Sequence, residues 1–233
     1  MTRWGTAVLD RLPLDGGERV LDAGCGSGRV TEQLAERLPR GRVIALDGSP
    51  AMVAAARERL ARFGERIGYT VADLGRPLPI DGASVDAVIS TATFHWVPDH
   101  DALFRNLAAV MCPGARLVAQ CGGVGNIANV QRALAGVGDG WLGAVHFETP
   151  LDTTRRLEAA GFMDVQCWLT DEPTRFEPGE PYETYLRTVV LGAHLERLPP
   201  GEHEVFVRSV ADAIGEPVID YVRLNILARR ASD

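Results

Sequence analysis

The sequence predicts an α/β fold, a doubly wound and mostly parallel sheet of seven strands with helices on both faces. Three observations predict it. Short apolar runs alternate with segments of helical spacing through the first half of the chain. A glycine-rich turn, "DAGCGSG" at 22–28, joins the first apolar run to the helical segment after it. Near the end, two helical stretches stand between the last two strand-like runs, where they are expected to form a cap over a pocket.

Taken in order, "MTRWGTAVLDRL" reads as an amphipathic helix; it carries Asp10 and lacks the small-residue cleavage site of a signal peptide. "RVLDAG" (19–24) is the first strand and "RVTEQLAERL" (29–38) its helix. "RVIALD" (42–47) is the second strand. "PAMVAAARERLARF" (50–63) is a helix with proline in its first turn and Ser49 as N-cap. "IGYTVAD" (67–73) and "SVDAVIST" (84–91) are strands three and four, followed by the helix "HDALFRNLAAVM" (100–111). A Pro-Gly turn opens strand five, "PGARLVAQCGG" (113–123). "TTRRLEAAGF" (153–162) is a helix and "MDVQCWLT" (163–170) a strand. The cap helices are "PYETYLRTVVLGAHLERL" (181–198) and "EHEVFVRSVADAIG" (202–215), and "VIDYVRLNILARR" (218–230) is the last strand. The division that follows is a core over 1–172, a helical cap over 173–215, and a closing strand over 216–233 that completes the core.

Composition bounds the partners. The 233 residues carry 24 basic and 31 acidic side chains, a net charge of −7, with no basic cluster of the kind nucleic-acid binding needs. No apolar run approaches the roughly 20 residues of a membrane span. A small-molecule partner is therefore expected and no nucleic acid or membrane; nothing in the sequence fixes an oligomeric state. The absence of targeting signals points to the cytoplasm. Every basic residue is arginine, which excludes a Schiff-base or P-loop lysine. Cys25, Cys112, Cys121 and Cys167 lie far apart without a C-x-x-C, so a metal site is not expected and reduced thiols are.

Glycines at 24, 26 and 28 allow a tight turn and a close backbone approach to a ligand. A dinucleotide fingerprint spaces its glycines G-x-G-x-x-G; here the third comes one residue early and Arg29 stands in its place. Asp22 at the strand end would repel a pyrophosphate and attract an amino group. Asp47 ends the second strand, where a carboxylate accepts from ribose hydroxyls. Asp73 ends the third and can accept from an adenine amino group. Three carboxylates around a glycine loop suit a ligand with an adenosine part and a cationic amino-acid part. S-adenosylmethionine fits this description, and NAD fits it less well.

These stretches resemble the class I S-adenosylmethionine-dependent methyltransferases. "VLDAGCGSG" is similar to that family's first motif and "ALDGSPAMV" to its second. "VADLGRPLPIDGASVDAVISTATFHWVPD" is similar to its third and fourth strands, and "CPGARLVA" to the turn into the fifth. The resemblance covers residues 19 to about 122. It implies a Rossmann-like sheet and S-adenosylmethionine as cofactor. It also implies that Gly24 and Gly26 approach the methionine portion, Asp22 holds its ammonium, and Asp47 holds the ribose. Met52 would pack against the adenine, with Asp73 and the Leu74 backbone reading its edge. Relatives fold an N-terminal segment over the cofactor; this chain begins just before the helix ahead of strand one, and Trp4 is the residue placed to contribute. "FHWVPDH" followed by "CGGVGNI" resembles the trans-aconitate methyltransferase group, which esterifies a small carboxylic acid.

His95 follows strand four, where the acceptor should sit. Three roles are open to it: general base, hydrogen-bond donor to an anionic acceptor, or support for the loop. His95 with His100 lacks a third metal ligand, and Trp96 is expected to shape the pocket. Arg155, Arg156, Arg175 and Arg187 are candidates for gripping a carboxylate. A carboxylate acceptor is ionised at neutral pH and needs no base, whereas a phenol or an enolisable carbon does. Two other readings stand beside the methyltransferase: a nicotinamide-dependent oxidoreductase, and a cofactor-binding subunit without catalysis of its own.

Overall fold

Side-chain alternation along the strands builds the molecule around one sheet with two covered faces. The computed structural model describes residues 2–232; Met1 and Asp233, the outermost residues of the expected segments, lie outside the described residues. In β1 (Arg19–Ala23), Val20 packs to one side and Leu21 to the other. In β2 (Arg42–Asp47), Val43 and Ala45 face the same side as Val20, and Ile44 and Leu46 the opposite one. β4 (Val85–Thr91) repeats the pattern, because successive strand side chains point to opposite faces. Such strands are buried on both sides, which is why they read as continuous apolar runs.

α1 (Thr2–Leu9), α2 (Arg29–Arg37) and α3 (Pro50–Arg59) cover one face through Val8, Leu9, Leu34 and Ala56. α4 (His100–Val110) and α6 (Pro150–Ala159) cover the other through Leu103, Phe104, Leu107 and Leu157. Between them in sequence lies α5 (Ala128–Leu134). The remaining strands are β3 (Ile67–Val71), β5 (Met111–Gly122), β6 (Phe162–Asp171), β7 (Thr174–Arg175), β8 (Val218–Ile219) and β9 (Val222–Arg230). The seven-stranded sheet runs β3-β2-β1-β4-β5-β9-β6, and β9 is antiparallel to both of its neighbours. The order reverses beside β1, and the loops at the carboxyl ends of β1 and β4 face the crevice where such sheets bind ligands.

Several boundaries differ from the sequence reading. The helix expected over 50–63 stops at Arg59; a 3₁₀ stretch, Ala61–Arg66, follows and contains Gly64 at φ 57°. The Pro-Gly turn before strand five lies inside β5 as a bulge: Met111 pairs with Val85, and pairing resumes at Arg116 with Ala87. The last strand breaks at 220–221, and its first two residues pair with β7 instead of the main sheet.

α5 was not expected at all. Its N-terminal residue Ile127 is left-handed at φ 51° and makes no side-chain cap. The cap comes from Asp220, whose two carboxylate oxygens accept from the Asn129 N–H at 3.1 and 3.0 Å. α5 packs with α7 (Glu180–Tyr185), the π-helical turn Leu186–Val190, α8 (Gly192–Leu195) and α9 (His203–Ile214). Their apolar cluster holds Val130, Leu134, Leu186, Leu191, Val207 and Tyr221, apart from the two clusters on the sheet. Among the described residues no helix is long and apolar enough to cross a membrane.

Candidate functional site

The glycine loop is shaped by what lies on either side of it. Gly24 has φ 90°, and a Cβ there would fall 2.0 Å from Thr93 Oγ1, so the β4 loop closes against it. The Gly24 and Cys25 N–H groups donate to the Leu46 carbonyl at 2.8 and 2.9 Å. Gly26 has φ 52° and nothing within 4 Å of where a Cβ would stand, so its outer side faces open space. Gly28 is left-handed, and a Cβ there would press on Leu60 and Ala56 at 3.1 and 3.3 Å. The three glycines thus do different work: one admits the neighbouring loop, one faces the cavity and one seats the helix.

Two carboxylates support that loop. Asp47 accepts from the Gly26 N–H and the Ser49 N–H, both at 2.9 Å, and so ties the β1 loop to the start of α3. Asp22 is buried beneath the loop; its Oδ2 accepts from the Thr31 hydroxyl at 2.6 Å, and its Oδ1 has no partner. Burial, aided by the nearby Asp47 charge and opposed by the Thr31 bond, pushes the Asp22 carboxyl up to about 6. A buried carboxylate oxygen without a donor is a place where a cation would be favoured.

A cavity of about 170 Å³ opens over the loop, with Gly24, Cys25, Gly26, Arg29, Gln120 and Arg223 in its wall. The other expected contacts sit around it. Met52 is in the first turn of α3 and 43% exposed, so its side chain is not helix core. Asp73 is exposed; it accepts from the Gly75 N–H at 2.8 Å and lies 3.6 Å from Arg76. Leu74 is buried, and its carbonyl accepts from Asn106 Nδ2 at 3.0 Å, which fixes the 74–75 peptide against α4.

A second cavity, of about 140 Å³, adjoins the first, and Trp4, Ala92 and Arg223 line both. His95 lines it too. Its Nδ1 accepts from the Gly122 N–H at 3.3 Å, which places the ring proton on Nε2. Burial, with the Arg223 and His100 charges, pulls the His95 pKa down to about 3. The imidazole is therefore a neutral donor and a poor base. His100 lies behind it, its Nε2 2.9 Å from the Phe94 carbonyl, and holds the turn that carries His95.

Arg223 escaped the sequence reading. It is 4% exposed, its Nε has no partner, and no carboxylate lies within ion-pair distance among the described residues. Its guanidinium lies 4.9 Å from the Trp4 ring, which in turn meets Tyr221 edge-on at 5.2 Å. The four arginines chosen from sequence are not in the wall of either cavity. Arg155, Arg156 and Arg175 pair with Asp152, Glu148 and Glu216, while Arg187 lies in the π-helical turn. The available signal was an arginine at an inward position of an otherwise apolar strand, "VRLNIL", two residues before the buried Asn225. Among the described residues no group of three metal-ligating side chains converges.

A methyltransferase domain family matches residues 20–114. The chain is similar to a trans-aconitate 2-methyltransferase of Methylobacterium radiotolerans, 29% identical over 99% of this chain and 94% of that protein. It is similar to a second, of Variovorax paradoxus, 42% identical over 51% of this chain and 44% of that protein, so this match spans less than half of the relative's length. In three dimensions it resembles Haemonchus contortus phosphoethanolamine N-methyltransferase 2 in complex with S-adenosyl-L-methionine, with TM-score 0.65 and 21% identity. That overlap takes in 99% of this chain and 53% of the other, and at such identity the likeness is one of fold.

Proposed function

We propose that the chain is a class I S-adenosylmethionine-dependent methyltransferase of small molecules and that it esterifies a carboxylic acid. The supporting observation is the junction of the two cavities, where the glycine loop on one side meets Arg223 and the His95 ring on the other.

The residues present fit the cofactor. The unpartnered Oδ1 of Asp22 places negative charge beneath the loop, which favours an ammonium above it and disfavours a pyrophosphate. This argues against the nicotinamide reading. Asp47 is positioned to accept from a ribose while it holds the Gly26 N–H. The exposed face of Met52 would cover the adenine, and Asp73 with the Leu74 backbone would meet its edge. Arg29, at the first turn of α2, is a further candidate for the cofactor's carboxylate. The adjoining cavity supplies an acceptor site, which a purely cofactor-binding subunit would not need.

When bound, S-adenosylmethionine supplies a methyl on a sulfonium sulfur, already activated for displacement. The protein's share is alignment, worth up to roughly 7–11 kcal/mol when both partners are held in line. An ionised carboxylate would take that methyl on one of its oxygens, so the chain's residues have to hold the acceptor in place and not to deprotonate it. No proton has to leave. His95 fits this chemistry, since a neutral ring with its proton on Nε2 can donate to the acceptor and cannot efficiently deprotonate one. We assign residues 173–215, with α5, to shaping the acceptor cavity, and residues 1–172 with 216–233 to holding the cofactor. The net charge of −7 argues against a nucleic-acid partner, and four unpaired thiols suit a reducing cytoplasm.

The test pairs calorimetry with turnover. S-adenosylhomocysteine should bind and NADH should not, and the protein should convert S-adenosylmethionine to S-adenosylhomocysteine only when a carboxylic acid is present. Binding of NADH alone, or turnover with phenols and amines but not acids, would contradict the assignment.

A further inference from the structure

Arg223 is a buried cation whose Nε has no partner and which forms no ion pair among the described residues, with Glu172 the one carboxylate whose charge acts on it. It stands where the two cavities meet, and a guanidinium so placed is costly unless an anion arrives. Past that point the second cavity is apolar, with Val130, Leu134, Val145, Phe147, Val189 and Val190 in its wall. Arg223 is the one charged side chain among its described lining residues. Several polar atoms there are already engaged, while His194 Nδ1 has no partner. Asn126 Oδ1 accepts from the Val222 N–H at 3.0 Å, the Tyr221 hydroxyl lies 2.8 Å from that of Tyr185, and His194 Nε2 lies 3.1 Å from the Trp141 carbonyl.

We propose that the acceptor is an apolar monocarboxylic acid, its single carboxylate on Arg223 beside the transferring methyl and its hydrocarbon body along the apolar walls. This rests on the carboxylate-methylating function proposed above and narrows it. A guanidinium grips one carboxylate bidentately, which turns an oxygen toward the glycine-loop cavity. The cavity, of about 140 Å³, limits how many methylenes the hydrocarbon body can carry before the space is full. A tricarboxylate such as trans-aconitate would set its other carboxylates against valine, leucine and phenylalanine with no second cation to receive them. The preference therefore differs from the acceptor for which the relatives are named.

The experiment offers the wild-type protein S-adenosylmethionine with linear saturated acids from butanoate to dodecanoate, and with trans-aconitate. KM should fall about fourfold per added methylene until the cavity is full. The best linear acid should exceed trans-aconitate in kcat/KM by at least about tenfold. Arg223→Met should raise KM for that acid about 10- to 100-fold while S-adenosylhomocysteine binds as in wild type, and Arg223→Lys should recover part of the loss. A trans-aconitate rate equal to or above that of every linear acid overturns the proposal. So does an Arg223→Met variant that loses S-adenosylhomocysteine affinity with KM unchanged, because Arg223 would then serve the cofactor. No transfer to any acid, with S-adenosylhomocysteine still bound, removes the underlying carboxylate assignment as well. The wild-type series decides the matter even where the variants fold poorly.

Discussion

The Gly122 N–H donates to Nδ1 of His95, and Gly122 is the residue paired with Arg223 across β5 and β9. One backbone position thus brings a neutral imidazole and a buried guanidinium to the same end of the sheet. The imidazole's tautomer is set by the strand that also positions the cation.

The first prediction concerns His95. Its folded pKa lies near 3, against an ordinary 6.5, so the ring stays neutral across the usual assay range. The rate of ester formation should not follow a group titrating between pH 6 and 7. His95→Gln, which keeps a donor, should hold kcat within about tenfold, where loss of a general base would cost roughly 10²–10⁴. Stability has the opposite dependence. The unfolded ring takes a proton below pH 6.5 and the folded one does not, so this contribution is complete above 6.5 and is lost as pH falls toward 3. Thermal melts between pH 4 and 7 should show a smaller acid loss in His95→Gln than in wild type.

Asp22 gives the reverse sign. Its carboxyl is raised to about 6 in the fold from an ordinary 3.8, so ionising it costs stability above pH 6 and costs nothing below 3.8. Asp22→Asn keeps an acceptor for Thr31 and removes the buried charge. Without cofactor this variant should melt roughly 5 °C higher than wild type near neutral pH, and the gain should vanish near pH 4. It should also bind S-adenosylhomocysteine at least about tenfold more weakly. Equal affinity in the two proteins would remove the ammonium role.

Met52 separates packing from binding. A core methionine cut to alanine costs about 2–5 kcal/mol of stability. Met52 is half exposed, so Met52→Ala should leave the melting temperature without cofactor within about 1 °C of wild type. Titration with S-adenosylhomocysteine should nonetheless show a several-fold weaker Kd. A lower melting temperature with unchanged Kd would return Met52 to the helix core.

Asp220 tests which part of the chain serves the acceptor. It caps α5 from 91 residues away in sequence. Asp220→Ala should cost about 1–2 kcal/mol, loosen one wall of the apolar cavity and raise KM for the acid. Cofactor affinity should hold, because the glycine loop belongs to a different apolar cluster. Equal losses of acceptor and cofactor binding would argue against dividing the labour in this way.

The sheet was legible in the sequence because each central strand is a short apolar run bounded by its own local turn, and the glycine loop because backbone conformation there depends on residues a few positions apart. Asp47 lies at the end of β2, as the same local logic expects, whereas β3 stops at Val71 and leaves Asp73 two residues beyond it. α5 was not legible: glycines flank it, and its cap is supplied by Asp220. Arg223 was missed for a related reason. An arginine reads as solvated surface unless the strand's inward face is known, and that face is set by β5 and β6 packing on either side of β9. The three roles open to His95 narrow only with the Gly122 N–H on Nδ1, a contact between a turn and a strand end 27 residues apart.

The most direct measurement of the central claim follows the methyl group itself. The protein is incubated with S-adenosylmethionine labelled with ¹³C in its methyl, together with a mixture of linear monocarboxylic acids, and the products are treated with mild alkali. The account predicts label in methyl esters and, after alkali, in methanol, with an equal amount of S-adenosylhomocysteine formed. Label that remains in S-adenosylmethionine, or that enters a product resistant to alkali, would contradict it.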